Sequence, residues 1–147
     1  MKISIIQMEP YWLLKEKNDV EKSKSGKITF NLSQHSISIS FATTKAALVV
    51  RGSEEMLRYS LIDETLKLSC SYKQEKTNKI LQWYNSTKKE IFKVLSKGLL
   101  VKLIHNDTPI AQLRYVSEKK AIFTIHPTNT YPIAILLGSI LPLLVDS

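Results

Sequence analysis

The sequence predicts a mainly β domain with a single C-terminal helix: an antiparallel sheet, closed into a barrel, around that helix. Three observations lead there. Apolar residues alternate with polar ones at period two through much of the chain. Turn-type residues separate these stretches at hairpin spacings. The run Tyr131–Val145 (YPIAILLGSILPLLV) carries no charge.

The elements follow in order. Lys2–Gln7 reads as a first short strand, and Lys15 to Gly26 (KEKNDVEKSKSG) as a mobile polar loop. Ile28, Phe30 and Leu32 then alternate with Lys27, Thr29 and Asn31, and Ile37, Ile39 and Phe41 with Ser36, Ser38 and Ser40. Leu66, Leu68, Cys70 and Tyr72 alternate with Thr65, Lys67, Ser69 and Ser71. Each stretch has one apolar and one polar face, as in an antiparallel sheet wet on one side. Shorter strands are expected at Ala46–Arg51, Leu57–Ile62, Leu99–His105, Ile110–Val116 and Ala121–Ile125. Asp63-Glu64, Asn106-Asp107-Thr108-Pro109 and Ser117-Glu118-Lys119-Lys120 have the composition of turns. Between Asn78 and Gly98 two successive hairpins are favoured. The alternative is a helix over Thr87–Lys97, with Thr87 and Glu90 as a capping box and Gly98 as its stop.

The terminal run is about 15 residues long, short of the roughly 20 that a spanning helix needs. No transmembrane span is expected. A helix apolar all round must be enclosed by protein if it is not in lipid, and a closed sheet provides the enclosure. Pro132 suits a first helical turn, with Thr130 a candidate N-cap.

A chain of 147 residues with ordinary apolar and charged content is the size of one domain, taken as residues 1–147. Its one cysteine, Cys70, cannot form an internal disulfide and falls at an apolar position of an alternating strand, as a small buried hydrophobe would. The first residues lack an apolar stretch of signal-peptide length, so a cytoplasmic location, with peripheral attachment to a membrane, is the expectation. Asn31, Asn85 and Asn106 begin glycosylation-type triplets and are read as turn residues.

Little argues for catalysis. His35, His105 and His126 have no metal-ligand spacing. The pair His105 and Asp107 falls at a hairpin turn. Gly26, Gly52, Gly98 and Gly138 are isolated, so no phosphate loop forms. The expectation is a protein without cofactor or enzymatic activity.

Charge is the strongest functional signal. The net charge is +8, and residues 66–120 hold twelve Lys/Arg against four Asp/Glu. Such a field attracts phosphate-bearing partners. The candidate anion-binding residues are Lys73, Lys76, Lys79, Lys88, Lys89, Lys93, Lys102, Arg114, Lys119 and Lys120. Hairpin tips carrying Lys88-Lys89 and Lys119-Lys120 are expected to converge on one rim. Trp83 and Tyr84 are candidates for the membrane interface.

The passages WYNSTKKEIFKV (Trp83–Val94) and LIHNDTPIAQLRYV (Leu103–Val116), followed by Ala121–Ile125 and the apolar run, resemble the tubby C-terminal-like superfamily, which includes LURP-one-related proteins and phospholipid scramblases. The resemblance spans roughly residues 27–147 and is one of pattern, without a diagnostic motif. It implies a closed barrel threaded by a hydrophobic C-terminal helix, and a role in binding anionic phospholipid. It transfers no functional residue position by position. Two other functions fit the charge: a single-stranded nucleic-acid binder stacking bases on Trp83, Tyr84 and Tyr115, and a general protein-interaction domain.

Overall fold

The computed structural model describes residues 1–17, 24–31, 33, 35–51, 58–63, 66–75, 78–85, 92–127 and 129–145, with backbone alone for 71–75, 78, 79, 85 and 145. Among these residues twelve strands follow one another: β1 (Lys2–Gln7), β2 (Tyr11–Glu16), β3 (Ser25–Asn31), β4 (Ser36–Phe41), β5 (Thr44–Arg51), β6 (Arg58–Ile62), β7 (Lys67–Glu75), β8 (Asn78–Asn85), β9 (Phe92–Lys97), β10 (Leu100–His105), β11 (Thr108–Ser117) and β12 (Lys120–Ile125). Helix α1 (Ile133–Val145) comes last. Each strand pairs antiparallel with its sequence neighbour, and β1 pairs with β12, closing the barrel.

Alternation decides which face looks inward. Ile28, Ile37, Ile39, Phe41, Leu48, Leu61, Leu68, Leu81, Val94, Leu103, Leu113 and Phe123 line the interior and are buried. Eight strands make a barrel that side chains alone can fill. Twelve leave room for more, and α1 occupies it. Every residue from Ala134 to Leu144 is buried, so an all-apolar circumference costs nothing here. The helix leans on β4, β5 and β6 and touches β9. Gly138 permits that closeness: a Cβ there would lie 2.4 Å from the Leu61 Cδ1. No helix in the described residues is long and apolar enough to cross a membrane.

Two polar devices hold the helix. Pro132 lacks an N–H, and its carbonyl accepts from Ile135 and Leu136 N–H at 3.1 and 3.2 Å. The Ala134 N–H donates to Thr44 Oγ1 at 3.3 Å, and that hydroxyl donates to the Phe41 carbonyl at 2.9 Å. The first turn is thus capped by the β4–β5 hairpin, not by Thr130, and the helix begins two residues later than expected. Asn129 instead brackets the entry, its side chain bonding both the N–H and the carbonyl of Tyr131. Further along, Trp83 Nε1 donates to the Ser139 carbonyl at 3.1 Å in the core. Pro142 lies within the helix and offers no N–H to Gly138, four residues earlier. Ser139 Oγ donates to the Leu136 carbonyl at 2.7 Å. No buried side-chain nitrogen or oxygen among the described residues lacks a partner.

Two expectations need correction. Tyr11–Glu16 is a strand, and β3 begins at Ser25, so the polar loop is shorter than Lys15–Gly26. Pairing with β1 and β3 recruits a segment with little alternation of its own. Phe92–Lys97 is extended, as the favoured hairpin reading expects and unlike the helical alternative, in register with β8 and β10. Asn106 and Asp107 both adopt positive φ, 49° and 65°, the signature of a tight two-residue hairpin turn.

Candidate functional site

Strands β8 to β12 contain no Asp or Glu. Their inner row is apolar, so any charge stands on the outer face or at the ends. Lys97, Lys102 and Arg114 are exposed and Lys93 is half-buried, on three adjacent strands. The register pairs Lys102 with Leu95 and Gln112, Lys93 with Ile104, and both Lys97 and Arg114 with Leu100. Lys102 is therefore the diagonal neighbour of Lys93, Lys97 and Arg114, at about 7–8 Å on a sheet face. Repulsion among Lys97, Lys102 and Arg114 is eased because these exposed heads reach water.

The patch has an apolar floor. Ile80, Leu95, Ser96 and Leu100, with Lys97 and Lys102, line a depression of about 370 Å³ on this wall. A second depression, of about 540 Å³, lies on the far wall and includes Lys27, Lys45, Ser38 and Ser40. There Asp63 contributes a carboxylate, its Oδ1 accepting from the Leu66 N–H at 2.6 Å. Strands β9 to β11 themselves carry no carboxylate.

The other expected residues scatter. Lys73 and Lys79 lie on the backbone of β7 and β8, paired with Ile80 and Ser96. Lys76, Lys88 and Lys89 fall outside the described residues. Lys119 and Lys120 occupy the β11–β12 turn and the start of β12. The expected convergence of two lysine tips fails on topology. In an up-and-down barrel successive turns alternate between ends. Asn85 and Phe92, which flank the Lys88-Lys89 segment, lie at the end opposite the β11–β12 turn. Lys97 was missed as a site residue. Its position before Gly98, whose φ is +60°, marks it in sequence as a turn-flanking cation.

The aromatic expectations change as well. Trp83 is fully buried and committed to Ser139, so it neither reaches a membrane interface nor stacks on a base. Tyr84 is half-buried and donates to Gln82 Oε1. Tyr115 is half-buried too, and burial raises its pKa.

Other chemistry stays structural. His105 lies edge-on to Tyr131 at 5.5 Å, its Nε2 3.4 Å from the Tyr131 hydroxyl. Tyr131 also meets Phe92 edge-on at 5.7 Å. These rings cover the barrel end where the helix enters. Burial pushes the Cys70 thiol up to about 12, far from the range of a reactive thiolate. No group of three metal-ligating side chains forms among the described residues. At the other end, the space beside Leu144, Trp12 and Lys120 is about 10 Å³, room for about one water.

Compared with known proteins, the chain matches no family model, no curated protein and no solved structure.

Proposed function

We propose that this protein is a non-enzymatic module that binds anionic phospholipid headgroups at a membrane surface, through the outer wall of β9–β11. One observation carries the reading: Lys97, Lys102 and Arg114 are exposed on strands that themselves carry no carboxylate, beside an apolar depression lined by Ile80, Leu95 and Leu100. A phosphate finds several donors within one headgroup's reach, and the apolar floor accommodates the glycerol and first methylenes. Basic residues near an anionic leaflet contribute about 1 kcal/mol each. The tubby-like resemblance supports the same ligand class, since a closed antiparallel barrel around an apolar C-terminal helix is the arrangement it implies. Peripheral attachment to the cytoplasmic leaflet belongs to this proposal.

Single-stranded nucleic acid is the weaker fit. Its stacking platforms are Trp83, which is buried in the core, and two half-buried tyrosines. Co-sedimentation with vesicles tests the choice. Binding to phosphatidylcholine vesicles doped with phosphatidylserine or a phosphoinositide, absent with phosphatidylcholine alone, is the expected result. Equal binding to both, or none to either, would remove the proposal.

A further inference from the structure

Among the described residues, three of the five large apolar side chains that remain exposed lie at one end of the barrel. Leu99 is 70% exposed, Val116 58% and Met8 43%. Met8 follows β1 at the β1–β2 turn, Leu99 forms the tip of the β9–β10 turn, and Val116 leads into the β11–β12 turn. These turns share an end, because successive turns of the meander alternate. They also form one arc, because β2, β1, β12, β11, β10 and β9 are consecutive around the barrel. Backbone hydrogen bonds stitch the arc: Gln7 N–H to the Lys119 carbonyl at 2.8 Å and Tyr115 N–H to the Leu99 carbonyl at 3.0 Å. Val116 is the extra residue of a bulge, where the register jumps between Tyr115 and Ser117. A bulge re-aims a side chain out of the ladder.

Among the described residues the opposite end offers no such patch. Its exposed apolar residues, Met1 and Ile62, stand beside β1 and at the end of β6, half the barrel apart. Charge follows the arc as well. Lys97 and Arg114 are exposed just behind the tips and Lys119 stands in the β11–β12 turn itself, against Glu9 and Glu118 in the same turns. Apolar points flanked by cations suit a surface that is hydrocarbon within and phosphate at its face.

We propose that this arc seats the barrel end-on on an anionic bilayer. Met8, Leu99 and Val116 enter the acyl boundary, while Lys97, Arg114 and Lys119 meet the phosphates. The inference rests on the lipid reading and adds an orientation to it. The C-terminal end of α1 points toward the membrane, and the Thr44 hairpin points away.

Two measurements on the full chain test it, with vesicles of phosphatidylcholine and phosphatidylserine. Leu99→Ser is expected to weaken partitioning about tenfold, the scale of withdrawing one leucine side chain from hydrocarbon. Its melting temperature is expected to stay at the parent value, since the side chain packs on little. In the second, Leu99→Trp and Thr43→Trp are compared in a Trp12→Phe background, because Trp12 lies at the same end, using vesicles with brominated acyl chains. Fluorescence quenching confined to Leu99→Trp supports the orientation. Wild-type binding with undiminished partitioning of Leu99→Ser, or with equal quenching at both positions, overturns the orientation and leaves the lipid reading standing. Absence of wild-type binding removes both. A chain that dimerises through these tips, becomes monomeric as Leu99→Ser and ignores vesicles also overturns the proposal.

Discussion

Strands β4–β6 and strands β9–β11 bury equivalent inner rows, Ile37, Ile39, Phe41, Leu48 and Leu61 on one wall and Phe92, Val94, Val101, Leu103 and Leu113 on the other. Their outer rows differ. On β4 the outward residues are Ser36, Ser38 and Ser40, whereas β9 and β10 present Lys93, Lys97 and Lys102. Their inner neighbours differ too, since α1 rests mainly against β4, β5 and β6. One wall spends its precision on the helix, and the other has an outer surface that the fold does not need. Substitutions should separate along this line, with stability lost at the first wall and binding lost at the second.

The largest effect is expected where the helix is tied to β8. Trp83→Ala removes a fully buried ring and its hydrogen bond to the Ser139 carbonyl. A loss of about 3–5 kcal/mol in urea denaturation is expected. If the loss were below 1 kcal/mol, the contact between helix and sheet would not be a structural anchor. Next comes Gly138→Ala, whose methyl would collide with Leu61. It should cost about 1–3 kcal/mol. Combined with Leu61→Ala it should cost less than the sum, because the two positions share one volume. Simple additivity would show that the helix does not press on that wall.

At the other wall the expected effects are smaller and appear in binding. Lys102→Gln should change stability by no more than about 0.5 kcal/mol, yet weaken attachment to anionic vesicles by about 1 kcal/mol. Raising the salt should shrink the difference, as exposed charges are screened. A stability loss with unchanged binding would reverse the contrast. The smallest effect concerns Cys70. Its thiol is pushed from the ordinary 9.0 up to about 12 by burial. A raised folded value means that its stabilising contribution is complete below about pH 9 and is lost as pH climbs toward 12. Alkylation at pH 8 should therefore proceed only on unfolding. Rapid labelling of the folded chain would contradict its burial.

Much of this architecture can be read from the residues. Ile28 and Phe30, Ile37 to Phe41 and Leu68 with Cys70 announce their strands, because one face is wet and the other dry. The uncharged run up to Val145 announces an enclosed helix for the same reason. Tyr11–Glu16 stays hidden, since YWLLKE sets Trp12, Leu13 and Leu14 in succession and draws its extended form from two flanking strands. Thr44 as the cap of α1 is equally invisible, because it comes from a hairpin 90 residues away. The basic residues of the site were legible as a list but not as a place. Three strands separate the Lys88-Lys89 segment from Lys119-Lys120, and an odd number puts two turns at opposite ends. Counting strands, not charges, decides which lysines meet. The exposed tips at Leu99 and Val116 escape periodicity because turns and bulges interrupt it.

The seam between β1 and β12 has a kinetic consequence. Every other pairing joins neighbours along the chain, but here Lys2 lies opposite Thr124. Bringing those residues together sacrifices chain entropy before any contact compensates, and the sacrifice grows with the logarithm of the loop. Hairpins can form and dissolve locally, while ring closure waits for both ends of the meander to arrive. Topologies dominated by distant contacts fold on the millisecond-to-second scale. Zippering of this barrel should therefore be limited by one event, the meeting of its first and last strands.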